Sequence, residues 1–217
     1  PNLFLLLSGH IRSDSEGHRR DVYDGNIVHS LLANYQDRSN GGNGWLRILQ
    51  FSPTKNQILV KTYSPLLDEW ETDGTSEFML FYNMSGQLLS SIEDQITNEG
   101  MASDSGNGED FTIIVIPDTQ YYSESFPDIF KEQMQWVVDS RDERNIVYVA
   151  HEGDIVNRDY DIHQWQVADS AMKILENAVF EGFPDGIPYG IVPGNHDLPP
   201  TNIRNLFNVR MMINPPE

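Results

Sequence analysis

The strongest constraint on how this chain folds is a rhythm in its second half. Three apolar, β-branched runs, at Phe111–Ile116, at 146–150 and at 189–192, are separated by segments with helical spacing. Runs that are apolar at successive positions suit strands buried on both faces, as in a parallel sheet covered by helices. After the first run, Ile129, Phe130, Met134, Val137 and Val138 form one helical stripe. Ser125, with Asp128 three residues on, has the form of a capping box for that helix. After the second run, Trp165, Ala168, Met172, Leu175 and Val179 repeat at helical spacing behind Asp161, a candidate N-cap. Strand, helix, strand, helix, strand predicts a parallel βαβαβ unit with right-handed crossovers.

Ligands of such sheets bind at the carboxyl ends of the strands. The residues that leave the three strands are Asp118-Thr119-Gln120, Gly153-Asp154 with Asn157 beyond, and Gly194-Asn195-His196-Asp197. Carboxylates, an amide and an imidazole gathered on one edge make a nitrogen and hard-oxygen set suited to divalent cations. Asp154, in the central loop, is the natural bridge between two cations. Gly153 and Gly194 would let the backbone turn sharply beside the metals. Asp-Thr-Gln alone reads as a capping loop and Gly-Asp with Asn157 is as weak a signal, whereas four polar or small residues, Gly-Asn-His-Asp, directly after a buried strand are rarely needed for packing. The three in order, after three parallel strands, point to a site.

The first half reads as strands and turns. Residues 3–7 suit a strand buried on both faces, residues 9–25 a polar loop, and residues 27–35 an apolar segment that is helical or extended around Leu31-Leu32-Ala33. Asn40-Gly41-Gly42-Asn43-Gly44 and Ser52-Pro53-Thr54-Lys55-Asn56 are turn signals. They bracket a strand with Trp45 and Phe51 inward and Arg47 and Gln50 outward. Strands over 58–63 and 77–82 complete an expected antiparallel meander. Residues 85–110, rich in Ser, Asn, Gly, Asp and Glu, read as a flexible linker.

Composition narrows the function classes. Fourteen Lys and Arg against 33 Asp and Glu leave a net charge of −19. That opposes nucleic-acid binding through a basic surface and attraction to an anionic membrane. It also points weakly to an exported or high-salt setting. The absence of cysteine excludes disulfides, zinc thiolates and cysteine nucleophiles. No run approaches the roughly 18 apolar residues of a membrane helix.

Asp118-x-Gln120, Gly153-Asp154 and Gly194-Asn195-His196-Asp197 resemble the Asp-x-His, Gly-Asp and Gly-Asn-His-Asp/Glu signature of calcineurin-like metallophosphoesterases. That family's later Gly-His-x-His motif is similar to Gly9-His10-Ile11-Arg12, and residues 34–65 resemble the carboxyl-terminal part of such enzymes. The resemblance implies an α+β fold: the βαβαβ unit plus antiparallel strands in an incomplete β-sandwich flanked by helices. It implies metal-dependent hydrolysis of phosphoric esters by a metal-bridging hydroxide, with two divalent ions (Mn, Fe or Zn). Asp118, Gln120, Asp154, Asn195 and His10 match metal-ligand positions. His196 matches the residue that steadies or protonates the leaving oxygen, and Asp197 would orient it.

The pattern departs from the family at two positions that serve one metal. Gln120 stands in place of His and offers a weaker amide oxygen. Arg12 stands in place of the second His and, unable to ligate, would clamp a substrate phosphate. One metal is therefore expected to be weak or absent. The order departs too, because His10 precedes Asp118. Residues 1–84 are read as the carboxyl-terminal portion of one phosphoesterase domain and residues 111–217 as the amino-terminal portion of another. The start at Pro1 and the end in mid-loop suit a processed or partial chain. In this preferred tandem reading, His10 and Asp118 belong to different sites and the halves dock against a neighbouring repeat. The competing reading is a circular permutant whose halves pack together. The rival function is a non-catalytic metal- or carbohydrate-binding module built around Trp45, Tyr63 and Trp70.

Overall fold

The computed structural model describes residues 3–11, 15–23, 26–84 and 108–198. Arg12, the expected phosphate clamp, and residues 85–107 of the expected linker lie outside them.

The three apolar runs of the second half are β8 (Phe111–Ile116), β9 (Ile146–His151) and β10 (Tyr189–Ile191). They pair in parallel in the order β10-β9-β8, with Ile114 beside Val149 and Gly190 beside Ala150. The first half adds β1 (Leu5–Ser8), β2 (Ser15–Tyr23), β3 (Asn26–Asn34), β4 (Leu46–Ser52), β5 (Gln57–Ser64), β6 (Glu69–Glu71) and β7 (Phe78–Phe81). Strand β4 pairs antiparallel with β8, placing Ile48 opposite Ile114. One seven-stranded sheet, β10-β9-β8-β4-β5-β6 with β7 also on β5, therefore crosses from one half of the chain to the other. The reading of two separately sited halves does not match this pairing. Ladder hydrogen bonds between β4 and β8 satisfy two strands that would otherwise present open edges.

Helices cover one face of this sheet. They are α1 (Ser39–Gly42), a single distorted turn, then α2 (Gln120–Ser125), α3 (Pro127–Asp139), α4 (Arg141–Arg144) and α5 (Ile162–Asn177). Leu46, Ile48, Ile114 and Ile116 pack with Phe130, Met134 and Val137 of α3 and with Ala171, Met172 and Leu175 of α5. On the opposite face, Leu49, Val60 and Val115 meet Leu31 of a second sheet, ordered β1-β3-β2. The result is an α+β architecture of three layers, with two sheets packed on each other and helices outside the larger one.

Several expectations need correction. Residues 9–25 are not all loop, because β2 pairs antiparallel with β3 along its whole length. Strand β1 is half exposed rather than buried on both faces, with Leu6 46% accessible. It pairs parallel with β3, so the first half is not a pure meander. Residues 31–33 are extended. Ser125 ends α2, and the next helix starts at Pro127, whose missing N–H costs nothing in a first turn. Asp161 does cap α5, its carboxylate accepting from His163 N at 3.0 Å. Val179 lies beyond that helix and is exposed.

Arg47 was expected to face outward, yet it is 1% exposed. Strand β4 lies in the middle of its sheet, with the helices packed on one face and the β1-β3-β2 sheet on the other, so both its faces are covered. The guanidinium is held by Glu16 Oε2 at 3.1 Å, the Thr75 carbonyl at 2.9 Å and the Tyr35 hydroxyl at 3.3 Å. Glu16 also receives Arg38 Nη2 at 2.9 Å and the Ser76 hydroxyl at 2.7 Å.

Candidate metal centre

Asp118 follows β8, Asp154 follows β9, and His10 follows β1 of the other sheet. His10 Nδ1 lies 2.9 Å from Asp118 Oδ2 and 2.5 Å from Asp154 Oδ2. His10 (φ 56°) and Asp154 (φ 49°) both hold left-handed backbone conformations that side chains disfavour. Strain of that kind, about 1–3 kcal/mol per residue, persists where surrounding structure enforces it and is concentrated at functional sites. Gly153 (φ 94°) carries the turn into Asp154; a Cβ there would come 2.6 Å from Gly194 N. A Cβ on Gly194 would collide with Asp154 itself. The two glycines thus let two loops close on one carboxylate.

The donor chemistry suits a cation. One ligand atom from each of His10, Asp118 and Asp154 lies within 4.8 Å of the others. Asp118 and Asp154 are 6% and 2% exposed. Burial pushes the Asp118 carboxyl up to about 7, and the Asp154 charge adds to that. Two buried carboxylates that share one imidazole lack compensating charge, and a divalent ion supplies it. The described residues therefore fit one cation held by an imidazole nitrogen and two carboxylate oxygens.

The remaining expected site residues are placed as follows. His196 stands beside His10, ring centroids 5.3 Å apart. Its backbone N–H donates to Asp154 Oδ1 at 2.7 Å, and its Nδ1 faces the Asn157 carbonyl at 3.0 Å. A carbonyl only accepts, so Nδ1 carries the proton. The expectation that Asp197 orients this ring does not match the contacts. Asp197 Oδ1 accepts from Ile155 N at 2.8 Å and Val156 N at 3.2 Å, and Oδ2 accepts from Gly194 N at 2.8 Å. Asp197 fastens the Asp154 loop to the Gly194 loop. Asn195 lies on the exposed bend between Gly194 and His196. Gln120 is 2% exposed; its backbone N–H donates to Asp118 Oδ1 at 3.0 Å and its Nε2 donates to Gln36 Oε1.

His151 ties the loops from beneath. Gly153 N donates to its Nδ1 at 3.1 Å, so Nε2 carries the proton and donates to Thr119 Oγ1 at 3.0 Å. The Thr119 hydroxyl then donates to the Ile155 carbonyl at 3.4 Å. Burial pushes the imidazole down to about 3, well below its ordinary 6.5. The unfolded chain therefore binds a proton that the folded chain refuses between pH 6.5 and 3. Stability contributed by neutral His151 is present above pH 6.5 and is lost as pH falls, at up to about 1.4 kcal/mol per pH unit. Thermal midpoints of His151→Gln are expected to fall less steeply than wild type between pH 6.5 and 4; parallel curves would contradict the assignment.

Sequence reasoning did not single out Gln36, Asn157's carbonyl or Glu152 as neighbours of the centre. Glu152 packs against Gly9, and burial pushes its carboxyl up to about 8. A lone polar residue after a strand carries no signal of such a role. Only the Gly-Asp motif beside Glu152 hinted that its surroundings matter.

Residues 111–215 match the family model of calcineurin-like phosphoesterases. The match covers the βαβαβ unit together with Asp118, Asp154 and the Gly-Asn-His-Asp motif. Over 88 residues the chain is 46% identical to the uncharacterized protein YvnB of Bacillus subtilis (strain 168), which covers 41% of this chain and 6% of that protein. The chain thus spans a small part of that relative's length. No solved structure matches.

Proposed function

We propose that this chain carries the metal centre of a phosphoesterase that hydrolyses phosphoric esters. The observation behind this reading is the meeting of His10 Nδ1 with the buried carboxylates of Asp118 and Asp154. His10, Asp118 and Asp154 would hold a divalent cation, and Asn195, on the bend between Gly194 and His196, is proposed as a further ligand. Such an ion supplies Lewis acidity, an acidified water and charge stabilisation at phosphorus. It also gives an acidic protein a locally positive place for a phosphate ester. His196, held through Nδ1, keeps Nε2 free, and with a second proton there the imidazolium would steady or protonate the leaving oxygen. Asp197 keeps the two loops in register and acts on His196 only through the backbone. Arg12 is proposed to clamp a phosphate oxygen.

The purified protein is expected to hydrolyse bis-p-nitrophenyl phosphate with Mn²⁺, to stop on chelation and to recover when Mn²⁺ returns. Metal binding without turnover would favour a non-catalytic metal-binding module instead. The carbohydrate version of that rival keeps one exposed aromatic: Trp45 and Tyr63 are 6% and 7% exposed and have no open face for a sugar ring, and Trp70, 41% exposed, packs against Tyr63 with ring centroids 4.6 Å apart.

A further inference from the structure

Gln120 and Gln36 lie 84 residues apart in sequence and are both buried, at 2% and 4% exposure. A primary amide has one acceptor end and one donor end. Gln120 spends its donor end on Gln36 Oε1, which leaves Gln120 Oε1 buried and without a protein partner. A buried carbonyl left unpaired is costly unless it meets a donor or a cation. The same residue's backbone N–H holds Asp118, a carboxylate of the candidate centre.

We infer that Gln36 is a positioning residue that fixes the Gln120 amide with its oxygen presented to the cation at Asp118, biasing the centre toward hard ions, Mn²⁺ or Mg²⁺, over Zn²⁺. This rests on the metal-centre reading above. The bias follows from ligand type. An imidazole in place of Gln120 would favour Zn²⁺, whereas a neutral carbonyl oxygen suits cations that prefer oxygen. A partner that orients a ligand typically changes metal affinity about 10–100-fold when it is removed. Gln36 comes from the loop after β3 and Gln120 from the start of α2, so the first half of the chain would set the metal preference of the second.

Titration calorimetry with Mn²⁺ alone and with Zn²⁺ alone, on the whole protein, tests this. Gln36→Leu is expected to weaken Mn²⁺ binding about tenfold or more while Zn²⁺ binding changes less than about threefold. Gln36→Glu still accepts from Gln120 Nε2 and is expected to keep the wild-type Mn²⁺ affinity. Gln36→Lys can only donate, so it should turn the amide and weaken Mn²⁺ as the leucine does. Gln120→His should shift preference toward Zn²⁺ independently of any change at Gln36. Folded Leu and Lys variants that bind Mn²⁺ like wild type would overturn the inference, as would equal losses for both metals. If the leucine variant does not fold, the glutamate and lysine variants decide it, and equal Mn²⁺ affinity in those two overturns it. Wild-type protein that binds neither metal would overturn the metal-centre reading itself, and this inference with it.

Discussion

Asp154→Asn is expected to abolish tight divalent-cation binding and to lower turnover about a thousandfold or more. Asp154 is the point at which three parts of the chain converge. Its Oδ2 meets His10, its Oδ1 accepts from His196 N, and its carboxylate fills the space that a side chain at Gly194 would need. Asparagine keeps the size and one oxygen but removes the negative charge. The site then loses an anionic ligand, and a hard cation held mainly by carboxylates loses much of its binding energy. The turnover loss follows because the cation's charge stabilisation is worth several kcal/mol in a transition state that builds charge on oxygen. Calorimetry and hydrolysis assays on the same preparation check both parts. Because asparagine is nearly isosteric, the fold should survive, and a near-native thermal midpoint would show that the loss is chemical.

Arg47→Met is expected to destabilise the protein by about 3 kcal/mol, with little direct effect on metal affinity. Removing one partner of a buried ion pair costs about 3–5 kcal/mol because the remaining charge stays buried without compensation. Here Glu16 keeps Arg38 and Ser76, which places the loss at the lower end of that range. The Thr75 carbonyl loses a donor as well. Pairing Arg47→Met with Glu16→Gln should recover part of the loss, since the stranded charge is then removed too. Urea unfolding measures both. A loss below about 1 kcal/mol in the single variant would mean that the network is solvated and not the closed arrangement seen between β4, β2 and the Thr75 turn.

Much of the second half was legible because its signals are local. Strands β8 and β9 are apolar on both faces and need no partner to be recognised. The Asp161 cap of α5 is written in adjacent residues. The candidate metal loops could be placed because parallel strands send their carboxyl ends to one edge. What failed depended on partners distant in sequence. Strand β2 alternates Glu16, His18 and Arg20 with Arg19 and Asp21, so neither face reads as apolar. It is a strand because β3 lies beside it. Arg47 looked solvated because Glu16 was assigned to a loop. The pairing of β4 with β8 has no local signature, and His10 precedes Asp118 by 108 residues although the two side chains meet. Asp197 was assigned to His196 by motif order, whereas backbone N–H groups closer to it take both of its oxygens.

Pulsed electron paramagnetic resonance of bound Mn²⁺ tests the central claim most directly: His10 from the first half and Asp118 and Asp154 from the second grip one cation. The bound ion is predicted to show imidazole ¹⁴N coupling that disappears in His10→Ala, with Mn²⁺ binding weakened in the same variant. Coupling and affinity that persist without His10 would contradict it.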